Sequence, residues 1–239
     1  MHAGERSEAL GLPGIPAAAE EAMVARDIAL ARATGGKLHV AHVSTKNAML
    51  LIRQAKDSGL SLTCEVTPHH LVLTDRDVHP TDANTKMNPP LRTEADVCAL
   101  RMALTEGYID CIATDHAPHH KDEKAADYAA APFGIVGLET ALPLLMTELV
   151  APGVIGLREL VVLLSTRPAK IFGLPVGEIV LGGLADFTLI DPNLTRTVEP
   201  EKFYSLGRNT PFGGRTLTGW PVMTMVGGKI VMKDGVVYD

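Results

Sequence analysis

The sequence predicts an α/β fold, with a parallel sheet of βα units first and a small β-rich segment after it. Three observations carry that reading. Short β-branched apolar runs alternate with helical patterns up to about Thr114. A long polar stretch rich in Pro, Asn and Asp interrupts them between Thr67 and Thr93. From Gly177 onward, short Gly- and Val-rich runs dominate, with turn signals at Gly227-Gly228 and Asp234-Gly235. The 239 residues are 46% hydrophobic and 21% charged, enough to bury a sizeable core. That composition excludes a collagen-like repeat, a low-complexity linker and a disordered acidic tail.

Pro16 suits the first turn of a helix that runs through the Ala-rich segment to Thr34 and stops at Gly35-Gly36. KLHVAHV (37–43) reads as a strand. Ser44 and Thr45 are candidate caps for a helix over Asn47–Ser58, which Gly59 ends. LSLTCEV (60–66) is a second strand. The stretch from Thr67 to Thr93 is long enough to be functional rather than a simple connection. A helix over Glu94–Glu106 closes at Gly107, and YIDCIAT (108–114) is a third strand. Helices are expected at Leu138–Val150 and Leu157–Ser165, and β structure in EIVLGGLADFTLID (178–191) and from Pro221 onward. The division expected from this pattern is 1–174 and 175–239.

The charge balance excludes some partners. With 22 basic against 28 acidic side chains the net charge is −6, and no Lys/Arg run marks a phosphate-binding stripe, so no nucleic-acid partner is expected. Cys64, Cys98 and Cys111 form no C-x-x-C pair, which suits a reduced, cytoplasmic compartment. No run reaches the roughly 18 apolar residues of a membrane helix, and Met1–Leu10 lacks a signal-peptide core.

The chemistry is expected at strand ends. In a barrel of βα units the C-terminal ends of the strands carry the active site. On the first strand, alternation puts Leu38, Val40 and His42 on one face and His39 on the other, so His39 and His42 are poorly placed to share one metal. On the third, Ile109, Cys111, Ala113 and Asp115 share a face, with Asp115 last. An imidazole and a carboxylate suit a zinc-like ion that holds and acidifies a water. Plain structural readings stand beside these. Asp115 can cap a turn, Asn88 can make an Asx turn, and Cys111 can be a small core residue. His69 and His70 read as exposed loop residues, and KDEK (121–124) as a solvated turn.

As a set, HVAHVSTKNA (39–48), CEVTPHHLVLTD (64–75), NTKMNPPLR (84–92), IATDHAPHHKDEK (112–124), APFGIVGLET (131–140), TRPAKIFGL (166–174) and GGLADFTLIDP (182–192) resemble dihydroorotases of the longer bacterial type, in the amidohydrolase superfamily. The resemblance implies the C-terminal part of a (β/α)₈ metal-dependent hydrolase barrel, strands six to eight, plus a C-terminal β-rich domain. It implies reversible hydrolysis of L-dihydroorotate to N-carbamoyl-L-aspartate, in pyrimidine biosynthesis. His42 matches the metal-binding histidine ending strand six. Asp115 matches the strand-eight aspartate, a metal contact that serves as general base and then general acid. Asn88 matches the asparagine that bonds the pyrimidine ring, and His119 a substrate-binding histidine. Phe133 and Gly134 match the segment that closes over the substrate. The implied cofactor is zinc, one or two ions in an intact site.

One departure is large. The family's H-x-H-x-R motif is absent, since no two of the nine histidines lie two apart. The bridging lysine or aspartate and the strand-five histidine have no counterpart either. GERSEALGLPGIPAAAEEAMVARDIALA (4–31) resembles the segment that follows that histidine. With His42 and Asp115 as the retained ligands, the chain alone is expected to bind zinc weakly and to turn over little substrate. Exposed barrel edges imply self-association, or pairing with an N-terminal half or with aspartate carbamoyltransferase. Two alternatives remain: a non-catalytic scaffold subunit for that transcarbamoylase, and another cyclic amidase such as a hydantoinase or allantoinase.

Overall fold

The computed structural model describes residues 1–238. They form two compact units, Met1–Glu139 with Pro200–Pro211, and Thr140–Glu199 with Phe212 onward. The boundary expected at 174/175 falls inside the second unit, and the chain divides between Glu139 and Thr140.

The first unit opens with α1 (Glu5–Leu10) and α2 (Ala17–Thr34), which Gly35 closes in the left-handed conformation. Then come β1 (Leu38–Val40), α3 (Lys46–Asp57), β2 (Leu62–Val66), α4 (Pro68–Val72), α5 (Glu94–Thr105), β3 (Cys111–Ile112) and α6 (Lys121–Lys124). The strands pair in the order β1-β2-β3, all parallel, with His39 opposite Thr63 and Glu65 opposite Cys111. Hydroxyl caps set the helix starts. Thr45 accepts from the Ala48 N–H, and Thr93 forms a reciprocal capping box with Asp96. Ala48, Met49, Ile52 and Ala55 of α3 and Val97, Leu100, Ala103 and Leu104 of α5 are buried at helical spacing. Leu62, Cys64 and Val66 supply the buried face of β2, and Thr63 and Glu65 its half-buried face. The expected parallel α/β portion is therefore present, with shorter strands.

The stretch between Thr67 and Thr93 is more ordered than its composition suggests. It holds α4 and two 3₁₀ turns, Asp75–Asp77 and Ala83–Thr85, each started by an Asp or Thr side-chain cap.

In the second unit, α7 (Ala141–Leu145) continues through a π turn to Val150. A second helix runs from α8 (Leu157–Val161) through a π turn into α9 (Arg167–Phe172), beyond the expected end at Ser165. The antiparallel sheet is β4 (Phe187–Thr197), β5 (Thr216–Val226), β6 (Lys229–Lys233) and β7 (Val236–Val237), in that order. Both expected turns join its last strands. The expected β structure at 178–183 does not form. Gly177 and Gly182 take positive φ, and Ile179 and Leu181 stay exposed. Gly219 is required where β5 meets the helix, because a Cβ there would lie 2.6 Å from Met146 Cβ. The Thr218 N–H also donates to Thr147 Oγ1 at 2.8 Å. These contacts draw residues from Thr140 onward into the second unit. Pro200–Pro211 belongs with the first, where Glu139 accepts from the Tyr204 and Ser205 N–H groups. Among the described residues no helix is long and apolar enough to cross a membrane.

Candidate active site

The C-terminal ends of β1 and β3 lie on the same side of the parallel sheet. His42 comes two residues after β1 with φ 38°, and Asp115 three residues after β3 with φ 49°. Among the described residues only one other non-glycine, Asp234, has positive φ. Such backbone costs about 1–3 kcal/mol per residue and gathers at functional sites. This corrects the alternation argument. The strands stop at Val40 and Ile112, so pleating does not aim these side chains; the left-handed turns do. His39 stays inside β1, with Nδ1 2.7 Å from Thr63 Oγ1 and Nε2 3.2 Å from Glu65 Oε2.

Beyond the middle strand, α4 carries His69 and His70. Both are 2% exposed, which corrects the reading of them as solvated loop residues. Pro68 at the first helical turn and the Thr67 cap start this helix directly after β2. His70 Nε2–H donates to Pro89 O at 3.0 Å, leaving Nδ1 to accept from the Thr67 hydroxyl at 2.7 Å. Burial holds the His70 pKa down to about 3, against the raising effect of the Pro89 carbonyl. Burial also depresses His69, with smaller contributions from His70 and His42. His69 Nε2 has no hydrogen-bond partner among the described residues.

An acid sensitivity follows. An unfolded histidine titrates near 6.5, and folded His70 near 3. Between those values the unfolded chain takes up a proton that the folded chain refuses, so stability present above pH 6.5 is lost as pH falls toward 3. Thermal melts from pH 7 to pH 4 are expected to show a falling Tm, with a shallower slope in His70→Gln. Equal slopes would rule His70 out as a cause.

His42 and Asn88 line one cavity of about 450 Å³, together with Glu20, Pro89 and Arg92. Asn88 is exposed at the tip of a loop whose flanks, Met87 and Pro89, are buried. Asp115, His119, Phe133 and Gly134 are not among the residues lining that cavity.

Those other residues form a second group. Ala117 N–H donates to Ile135 O at 2.8 Å, bringing 115–119 alongside 133–137. His119 Nε2 lies 2.8 Å from Phe133 O, with the imidazole N–H as donor. Gly134 is a close approach: at φ 123° a Cβ would sit 2.5 Å from Ala117 Cβ. Asn209 ties the group together, accepting from His119 N–H and donating to Ala117 O and Gly134 O.

Two lysines hold this loop from beneath. Lys86 Nζ donates to Ala129 O and Ala131 O, and lies 4.7 Å from the Phe133 ring centre. Lys124 Nζ donates to Pro132 O and Gly134 O, each at 3.0 Å. Lys121, Asp122 and Glu123 are exposed, as a solvated turn requires, but Lys124 is buried, and burial lowers its pKa to about 8, with the charge of Lys86 adding to the effect. Sequence reasoning assigned no role to Lys86, Lys124, His69 or Asn209. Lys86 lies in the quoted KMNPPLR stretch, but nothing local marks it as buried.

The donor chemistry fits a divalent metal in part. His42 and Asp115 are an imidazole and a carboxylate at the ends of the two outer strands, β1 and β3, and the unpartnered His69 nitrogen belongs to the helix that follows β2 between them. Two such donors fall short of the three protein ligands of a catalytic zinc.

The sequence profile of the Amidohydrolase family matches residues 4–231. The chain belongs to the amidohydrolase family. Among curated amidohydrolase relatives, it is 54% identical over 237 residues to "Dihydroorotase" of Pelotomaculum thermopropionicum, covering 99% of this chain and 56% of that protein. It is 51% identical over 235 residues to "Dihydroorotase" of Bacillus caldolyticus, covering 98% and 55%. The chain thus spans about half the length of the curated relatives it matches. Among solved amidohydrolase structures, L-hydantoinase (dihydropyrimidinase) from Arthrobacter aurescens superposes with a TM-score of 0.87 at 33% identity, over 92% of this chain and 50% of that one. Dihydropyrimidinase from Brevibacillus agri gives 0.85 at 29% identity, over 91% and 49%.

Proposed function

We propose that this chain supplies one part of a dihydroorotase active site, for reversible hydrolysis of L-dihydroorotate to N-carbamoyl-L-aspartate in pyrimidine biosynthesis. The observation that carries the reading is the pair of metal-type donors, His42 and Asp115, each turned by a left-handed residue at the C-terminal end of a parallel strand. In this reading β1, β2 and β3 are strands six to eight of a (β/α)₈ barrel, and β4–β7 belong to its small β domain.

His42 and Asp115 would hold a divalent ion, zinc by donor type, which when bound polarises a carbonyl and acidifies water. Asp115 takes the proton of the attacking water and returns it to the leaving ring nitrogen. Asn88, facing the cavity of His42, orients the ring through its amide. His119 is held by Phe133 O and Asn209, so its imidazole is pre-set beside the 133–134 backbone that covers the substrate. A hydantoinase is the second reading, on the structural likeness at 33% identity. The 54% identity to a dihydroorotase favours the first.

The test is turnover, by this chain and by this chain mixed with the part of the Pelotomaculum protein it does not match. Cyclisation of N-carbamoyl-L-aspartate is expected with the mixture, and hydantoin hydrolysis is not. Preference for hydantoin, or no turnover from a mixture that forms a complex, would overturn the reading.

A further inference from the structure

A cluster of metal-type side chains lies on the half-buried face of the parallel sheet, apart from the strand-end residues above. His39 on β1, Glu65 on β2 and Cys111 on β3 occupy three successive strands. Their ligand atoms all lie within 4.8 Å of one another. His39 Nε2 is 3.2 Å and Cys111 Sγ 3.9 Å from Glu65 Oε2. From these observations we propose that His39, Glu65 and Cys111 form a second site for a thiophilic divalent cation of the zinc class, with a fourth position open to water.

The distances suit such an ion. With metal–nitrogen, –oxygen and –sulfur bonds near 2.05, 2.1 and 2.3 Å, a tetrahedral centre sets its ligand atoms about 3.4 Å apart for N and O, and about 3.6 Å for S and O. The observed 3.2 and 3.9 Å lie a few tenths of an ångström to either side. The outer shell is also in place. Thr63 Oγ1 sits 2.7 Å from His39 Nδ1, fixing the ring with Nε2 toward the carboxylate. Imidazole with thiolate selects zinc-like ions over magnesium or calcium. His39 and Glu65 keep 21% and 15% of their side chains exposed, so an ion can reach them, while Cys111 is 1% exposed. Binding releases the thiol proton of Cys111, and Glu65 and the thiolate together match the charge of the dication.

The other cysteines do not share this site. Cys64 alternates with Glu65 onto the buried face, its thiol donates to Tyr108 O, and burial pushes its pKa up to about 12. Cys98 is exposed on α5, beside Glu94.

The test is titration of the full chain with cobalt(II), read by the thiolate-to-cobalt charge-transfer absorption and by competition with zinc. One equivalent is expected to give the band. Cys111→Ser should abolish it, and His39→Gln and Glu65→Gln should weaken binding. Thr63→Val, which leaves every ligand in place, should weaken it by about 10–100-fold. Circular dichroism checks each fold; should Cys111→Ser not fold, Thr63→Val carries the test. Cys98→Ser and the double variant His42→Asn/Asp115→Asn should keep the band, which separates this site from the catalytic reading. No cobalt bound, a band that survives Cys111→Ser, or a band lost in the double variant would overturn the proposal.

Discussion

Arg92→Met is expected to destabilise the first unit by about 3–5 kcal/mol, the cost of leaving a buried charge without its partner. Arg92 is 2% exposed. Its guanidinium donates to Ser44 Oγ at 3.0 Å, to Ile15 O at 2.9 Å and to Glu20 Oε2 at 3.3 Å. Glu20 Oε1 in turn accepts from the Ser44 and Thr45 N–H groups, at 2.8 and 3.1 Å. One ion pair therefore joins α2, the residues that follow His42 and the end of the Asn88 loop. Methionine fills the volume of the arginine stem but leaves the Glu20 carboxylate, 12% exposed, without its counter-charge, held by Ser44 and Thr45 alone. Urea unfolding measures the loss. The double variant Glu20→Met/Arg92→Met should recover much of it, because the uncompensated charge is gone. A single-variant loss under about 1 kcal/mol would mean that the pair behaves like an exposed one.

Asp115→Asn is expected to lower turnover by about 10²–10⁴-fold, the usual contribution of a positioned acid–base group. Under the proposed function, the measurement is made on the mixture that restores turnover, with dihydroorotate as substrate. Asparagine keeps the shape of aspartate but cannot take a proton from water. It is also one of the few residues at ease with φ near 49°, so the turn after β3 should survive and Tm should stay constant. The informative pattern is a fall in kcat with unchanged melting. A decrease smaller than about tenfold would take the proton-transfer role away from Asp115.

Much of the first unit was legible in local signals. The caps at Thr45 and Thr93, the stops at Gly35, Gly59 and Gly107, and the β-branched runs between them mark helices and strands through interactions within a few residues. The motif stretches pointed to His42, Asn88, Asp115, His119, Phe133 and Gly134. The structure sets His42 with Asn88 in one cavity, and His119 with Phe133 and Gly134 in one hydrogen-bonded loop.

Burial of polar residues was not legible. TPHHL and KDEK look solvated, because polar side chains carry no local mark of being enclosed. His70 goes inside because Pro89 and Thr67 satisfy both ring nitrogens, and Lys124 because the Pro132 and Gly134 carbonyls, eight and ten residues further on, receive its ammonium. The division of the chain escaped for a related reason: Gly219 and Met146 meet across more than 70 positions, a separation no sequence window spans. So the sequence by itself determined the order of the main elements of the first unit and the family, and pointed to candidate chemical groups, since those rest on short-range propensity and motif. The tertiary structure alone decided which polar groups are buried and which way His42 and Asp115 turn. It also decided that His39, Glu65 and Cys111 meet, because strand pairing and enclosure join residues that the chain holds far apart.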